Sequence, residues 1–77
     1  MSTRLAILTY LAAVHHLDQE AEVSDLELQH ELGLDPATVR RCAAALAREG
    51  LIQFDPLLSN LWLRITDEGL AATEQET

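Results

Sequence analysis

A glycine and an Asp-Pro pair, one residue apart, constrain the fold of this sequence more than any other feature. Gly33 follows an amphipathic stretch at 25–32 and favours the left-handed backbone conformation that ends a helix. Asp35 is a typical N-cap, and Pro36 suits the first helical position, where its missing N–H does no harm. We therefore predict two helices, 25–32 and 36–49, joined by a tight turn of three residues.

Other helix ends carry similar signals. Ser24 is the expected N-cap of the helix 25–32, and Glu27 completes an S-x-x-E capping box. Gly50 is expected to end the helix 36–49. An earlier helix is predicted over 3–17, because apolar residues recur there at helical spacing. Its predicted buried face consists of Ile7, Leu8, Leu11, Val14 and His15.

The second half of the chain predicts a hairpin and a last helix. Two β-prone runs, 51–54 and 61–66, flank the turn-rich segment DPLLSN. Thr66 is the expected N-cap of a helix over 67–75. The 77 residues therefore predict a single domain, mainly α with a small β-hairpin (α+β), in the order α-α-α-β-β-α.

The helix 36–49 has two different faces. Val39, Cys42, Ala43 and Leu46 cluster on one side, so we expect them to be buried and the Cys42 thiol to be inert. The opposite side carries Ala37, Arg41, Ala44 and Arg48, flanked by Arg40. We expect this opposite side to face solvent or a binding partner.

Charge makes this outward face unusual. The formal net charge is −8, with thirteen acidic residues, five arginines and no lysine, yet three of the arginines lie in this one helix. Guanidinium groups pair with phosphates or with guanine edges, so the cluster favours nucleic-acid contact. A solvated helix face is the alternative interpretation, with Arg48 stabilised by the negative end of the helix dipole.

The run VSDLELQHELGLDPATVRRCAAALAREGLI resembles winged helix-turn-helix domains of the MarR, ArsR and Lrp type. LRITDEGLA resembles the junction that follows the wing in that family. The resemblance implies a helix-turn-helix at 24–49, a wing hairpin at 51–66 and a C-terminal helix at 67–75. It also implies that the third helix lies in the DNA major groove, with contacts from Ala37, Thr38, Arg40, Arg41, Ala44 and Arg48.

The wing departs from that family pattern. Its loop, DPLLSN, carries one acid, two leucines and no positive charge. We interpret Leu57, Leu58, Asn60 and Trp62 as wing residues that contact DNA or a protein partner, since exposed apolar side chains mark either kind of surface. The alternative is that one of the leucines folds back on the strands and that Trp62 covers the core.

Other classes of function have little support in the sequence. His15, His16, His30 and Cys42 lack the spacing of a metal site, so no metal or cofactor is expected. No nucleophile–base pair and no glycine-rich phosphate loop is present, so we do not expect an enzyme. A single cysteine, no leader and no apolar run long enough for a membrane span predict a cytoplasmic protein.

Two functions therefore follow from the sequence. The first is a small DNA-binding transcriptional regulator that contacts double-stranded DNA with the helix 36–49 and works as a homodimer. The second is an acidic protein-binding module on the same fold, such as a virus- or plasmid-encoded inhibitor of the anti-CRISPR kind. The arginine cluster favours the first, whereas the acidic composition and the uncharged wing favour the second.

Overall fold

A computed structural model of the protein describes residues 2–54 and 62–75. Its four helices lie close to the predicted ranges: α1 Thr3–Leu17, α2 Asp25–Leu32, α3 Pro36–Arg48 and α4 Asp67–Gln75. The one difference is at the end of α3, which stops at Arg48 because Glu49 is the C-cap.

Side-chain oxygens begin all four helices. The oxygens of Ser2, Ser24, Asp35 and Thr66 each accept a hydrogen bond, at 3.1 Å, from the backbone N–H three residues later. These bonds satisfy N–H groups that have no partner within the helix. Gly33 and Gly50 follow α2 and α3 with φ of 65° and 77°, values at which a glycine is favoured. The predicted caps at Ser24, Asp35 and Thr66 are confirmed.

The strands form a three-stranded antiparallel sheet in the order β1-β3-β2. Strand β1 is Val23–Ser24, β2 is Ile52–Gln53 and β3 is Trp62–Ile65. The predicted pairing of the second and third strands is confirmed, although the strands are shorter than predicted. Strand β1 was not predicted. It pairs with the start of β3, so that Val23 lies opposite Leu63 and Ser24 opposite Trp62.

The core lies between α1, the helix-turn-helix formed by α2 and α3, and the inner face of the sheet. Helix α1 contacts α4 and β3, whereas α2 packs on α3. Leu63 and Ile65 of β3 point inward, as their alternation predicts. The buried apolar residues are Ile7, Leu8, Leu11, Ala12, Val23, Leu28, Val39, Ala43, Leu46, Ile52, Leu63 and Ile65.

The packing of side chains differs from the sequence prediction at three places. Cys42 is half-buried, since it packs at the edge of the core rather than within it. In α1, Ala12 is buried while Val14 and His15 remain partly exposed, so the buried face is rotated slightly. The Glu27 carboxylate accepts a hydrogen bond from the Tyr10 hydroxyl of α1, so it joins two helices instead of closing a capping box.

Gly69 lies where α4 passes closest to the start of the wing. A Cβ at this position would overlap the backbone carbonyl oxygen of Leu51 and would lie 2.6 Å from Ile65 Cγ1. The Leu51 oxygen is itself held by the backbone N–H of Thr66, at 3.0 Å. Gly69, three residues after Thr66, is therefore needed for close packing between α4 and the segment leading into β2.

Candidate nucleic-acid interface

Helix α3 is held by contacts on its inner side. Val39, Ala43 and Leu46 are fully buried, and all three lie within an arc of about 60° around the helix axis at 100° per residue. This arc fixes the rotation of the helix relative to the core, so the opposite arc must face outward. At 1.5 Å per residue, the 13 residues of α3 span about 20 Å.

The outward arc carries the predicted contact residues Ala37, Arg40, Arg41 and Arg48, all of which are exposed. On a helical projection Arg41 and Arg48 lie together near the centre of the arc, and Arg40 lies at one edge. Arg41 and Arg48 are about 10 Å apart along the axis. The methyl groups of Ala37 and Ala44 therefore lie between Arg40 on one side and the pair Arg41 and Arg48 on the other.

These three arginines differ from the other two in their partners. Arg4 makes a bidentate ion pair with Glu49, with nitrogen–oxygen distances of 2.5 and 2.6 Å. Arg64 donates to the backbone oxygen of Glu20 at 2.9 Å and approaches the Glu22 carboxylate at 3.9 Å. Within residues 2–54 and 62–75, no ion pair engages the arginines of α3. Their charge thus remains available to an outside anion.

Thr38 has a structural role that the sequence prediction did not include. Its hydroxyl donates to the Asp35 carboxylate at 2.5 Å, and its backbone N–H donates to the same carboxylate at 3.1 Å. The hydrogen bond from the Thr38 hydroxyl lowers the pKa of Asp35 most, and the bond from the Thr38 N–H lowers it further. The charge of Arg41 acts in the same direction. A carboxylate therefore stays ionised at the N-terminus of α3, so the Thr38 side chain is engaged in the cap.

Ala44 is half-buried, although periodicity predicted an outward position. With Ala47, Arg48 and Phe54 it lines an open cavity of about 540 Å³ between α3 and the end of β2. Phe54 was not among the residues predicted from sequence to form the site. Its position, at the end of an apolar strand and directly before the wing loop, was the signal that could have identified it.

The wing residues fall into two groups. Leu57, Leu58 and Asn60 lie outside the described residues. Trp62 lies in β3 with 48% of its surface exposed, so it is not a core residue. It points away from the core because Leu63 and Ile65 point inward.

The helix-turn-helix, together with most of α1 and with β2, is also what the family comparison detects. The model of the IclR helix-turn-helix domain matches residues 5–56, which is more than half of the chain. The protein belongs to the IclR helix-turn-helix family. This is a family of DNA-binding transcription regulators. The prediction of a winged helix-turn-helix domain is therefore confirmed.

The winged-helix architecture of this IclR-family chain is also found among solved structures. A MarR protein from Peptoclostridium difficile matches it with a TM-score of 0.66 at 22% sequence identity. The match covers 88% of this chain and 44% of that one, so the matched part spans less than half the length of that protein. At this identity the likeness concerns the fold alone. A comparison with functionally curated proteins returns no match.

No helix in the described parts of the chain has the length and apolar character that crossing a membrane requires. Across residues 2–54 and 62–75, no three metal-ligating side chains converge.

Proposed function

We propose that this domain regulates transcription by placing α3 in the major groove of double-stranded DNA. The observation that carries the proposal is that the three arginines around the outward arc of α3 form no ion pair within residues 2–54 and 62–75. A major groove about 12 Å wide admits a single helix. Membership of the IclR helix-turn-helix family supports the same role. The regulator works in the cytoplasm, where the DNA is.

Each outward residue has a distinct role in this proposal. Arg41, near the centre of the outward face, contacts a base edge or a phosphate, and Arg40 and Arg48 contact the backbone on either side. The methyl groups of Ala37 and Ala44 are placed to pack against thymine methyl groups, which lie in the same groove. The preferred site therefore contains thymine between guanidinium contacts.

The net charge of −8 does not prevent this binding, because the relevant field is local. Charges more than about 8–10 Å from a phosphate are largely screened at physiological salt. The acid nearest the end of α3, Glu49, is neutralised by Arg4. With few basic contacts, however, we expect a shallow salt dependence, with a slope of about 2–4 per protomer.

Binding to duplexes with a randomised centre tests this proposal. Affinity is measured by fluorescence anisotropy from about 50 to 200 mM salt. Arg41→Ala should weaken binding by about 1–3 kcal/mol if Arg41 contacts a base, or lower the salt slope by about one unit if it contacts a phosphate. Arg64→Ala is the matched control, since it removes the same charge from an arginine paired elsewhere.

The thymine contacts have a separate test. Replacing thymidine by deoxyuridine throughout the selected duplex removes only the methyl groups. Each methyl buried against alanine contributes about 0.8 kcal/mol, so its loss should weaken binding about fourfold. An unchanged affinity would refute the roles of Ala37 and Ala44, whereas no saturable binding to any duplex at about 50 mM salt would refute DNA binding itself.

We also propose that the regulator binds as a homodimer. One winged helix contacts a single DNA half-site, so two copies are needed for two half-sites. A chain of 77 residues also has a small core, and dimerisation would stabilise it. Sedimentation equilibrium at high micromolar concentration should give twice the monomer mass. A monomer throughout that range would refute the dimer.

A further inference from the structure

The outer face of the sheet presents an apolar surface that α3 does not use. Trp62 is 48% exposed, although tryptophan is the largest apolar side chain in the protein. Ser24 lies directly opposite Trp62 in the β1–β3 pair, and Leu26, 61% exposed, follows Ser24 by two residues. Chain geometry places the Leu26 and Trp62 Cα atoms within about 13 Å of each other.

Acidic residues border this apolar surface. The register places Glu22 beside Arg64, on the same outer face as Trp62, which agrees with the 3.9 Å approach of their charged groups. Glu20 and Asp25 lie on either side in the chain, and Glu20 is fixed next to the sheet by its hydrogen bond with Arg64. The residues Trp62, Leu26, Glu20, Glu22 and Asp25 are called the Trp62 surface below.

We propose that the Trp62 surface docks a basic protein segment that carries at least one large apolar side chain. Charge complementarity decides the class of partner. In the described part of the chain, the carboxylates of Glu20, Glu22 and Asp25 outnumber the one guanidinium on this face, that of Arg64. The border would therefore repel the phosphates of DNA, whereas lysine or arginine side chains would be attracted to it. Exposed tryptophan is the residue type most enriched among those that dominate binding energy at protein interfaces. This docking is independent of the DNA contact by α3.

Selection from a displayed library of random peptides tests the proposal directly. The full chain is used as bait, and bound peptides are synthesised for affinity measurement. Trp62 is the single tryptophan, so its fluorescence reports occupancy of this surface without a label. We expect enriched peptides to be basic, to contain an aromatic or leucine residue, and to shift the emission of Trp62 to shorter wavelength.

Three variants separate the contributions. Trp62→Ala should weaken the selected peptides about tenfold or more. Glu22→Gln should weaken them about two- to fivefold, with the difference disappearing at high salt. Glu68→Gln, an exposed acid of α4 beyond the far end of β3, removes the same charge and should have no effect. Because Glu22→Gln changes an exposed side chain, it keeps the test valid even if Trp62→Ala perturbs folding.

Other occupants would overturn the proposal in recognisable ways. A dimer that dissociates on Trp62→Ala would show that a second copy of this chain covers the surface. If Trp62→Ala weakened duplex binding as much as Arg41→Ala, the surface would be assigned to DNA. Failure to enrich any peptide, or enrichment of peptides that are neutral, acidic or insensitive to Trp62→Ala, would refute a basic segment as the partner.

Discussion

Replacing Gly69 with alanine sets two opposing effects against each other. In the interior of an exposed helix this change is stabilising, since alanine is favoured over glycine by about 1 kcal/mol. At Gly69, however, the new Cβ would overlap the Leu51 carbonyl oxygen and lie 2.6 Å from Ile65 Cγ1. The Leu51 oxygen cannot move aside without weakening its hydrogen bond from the Thr66 N–H.

The second effect should be the larger. Forcing an extra carbon into a packed site costs about 1–3 kcal/mol, and weakening one backbone hydrogen bond adds about 0.5–1.5 kcal/mol. After subtraction of the helix-propensity gain, we expect the free energy of unfolding of Gly69→Ala to fall by about 1–3 kcal/mol. Urea titration followed by far-UV circular dichroism measures the change.

A control in the same helix isolates the propensity term. Ala71 is exposed in α4, so Ala71→Gly should lower the free energy of unfolding by only about 0.5–1 kcal/mol. If Gly69→Ala were as stable as the wild type or more so, helix propensity would have outweighed the contact. The close approach between α4 and Leu51 would then not be a constraint on this position.

Three further predictions concern the core, the tyrosine and the cysteine. Leu46→Ala empties a fully buried site and should lower the free energy of unfolding by about 2–5 kcal/mol in the same urea assay, with little change in the m-value. The hydrogen bond to Glu27, together with burial and the nearby negative charges, raises the pKa of Tyr10 to about 12. The absorbance of the tyrosinate at 295 nm should therefore rise with a midpoint near pH 12, and the midpoint should move towards pH 10 in Glu27→Gln. Because this folded-state pKa lies above the unfolded value of 10.0, the stabilisation is complete below pH 10 and should be lost as pH rises from 10 to 12. Cys42, half-buried at the core edge, should react with a thiol reagent in the native protein more slowly than in urea, and complete protection would contradict its partial exposure.

The helices could be predicted from sequence because their ends are encoded locally. Capping oxygens and glycines act within three or four residues, so Asp35 and Gly33 identify the turn between α2 and α3 without reference to the rest of the chain. Strand β1 could not be predicted in this way. Two residues have no periodicity, and Val23–Ser24 is a strand only because β3 lies beside it.

The part of the candidate interface that depends on local geometry could also be predicted from sequence. Helical geometry alone places Arg40, Arg41 and Arg48 on one side. Among the residues that the structure describes, these arginines form no ion pair, whereas Arg4 pairs with Glu49. That pair joins residues 45 positions apart, which no local pattern encodes. Likewise Glu27 satisfies a capping motif in sequence, but its hydrogen bond goes to Tyr10 because α1 lies within reach.

The Arg4–Glu49 ion pair has a consequence for the thermodynamics of DNA binding. It links the C-terminal end of α3 to α1, and the tight turn at Gly33 links the N-terminal end of α3 to α2. A helix held at both ends is already ordered before it meets a ligand. The heat-capacity change of binding should therefore match the apolar area covered at the interface, without the additional negative contribution that accompanies folding upon binding.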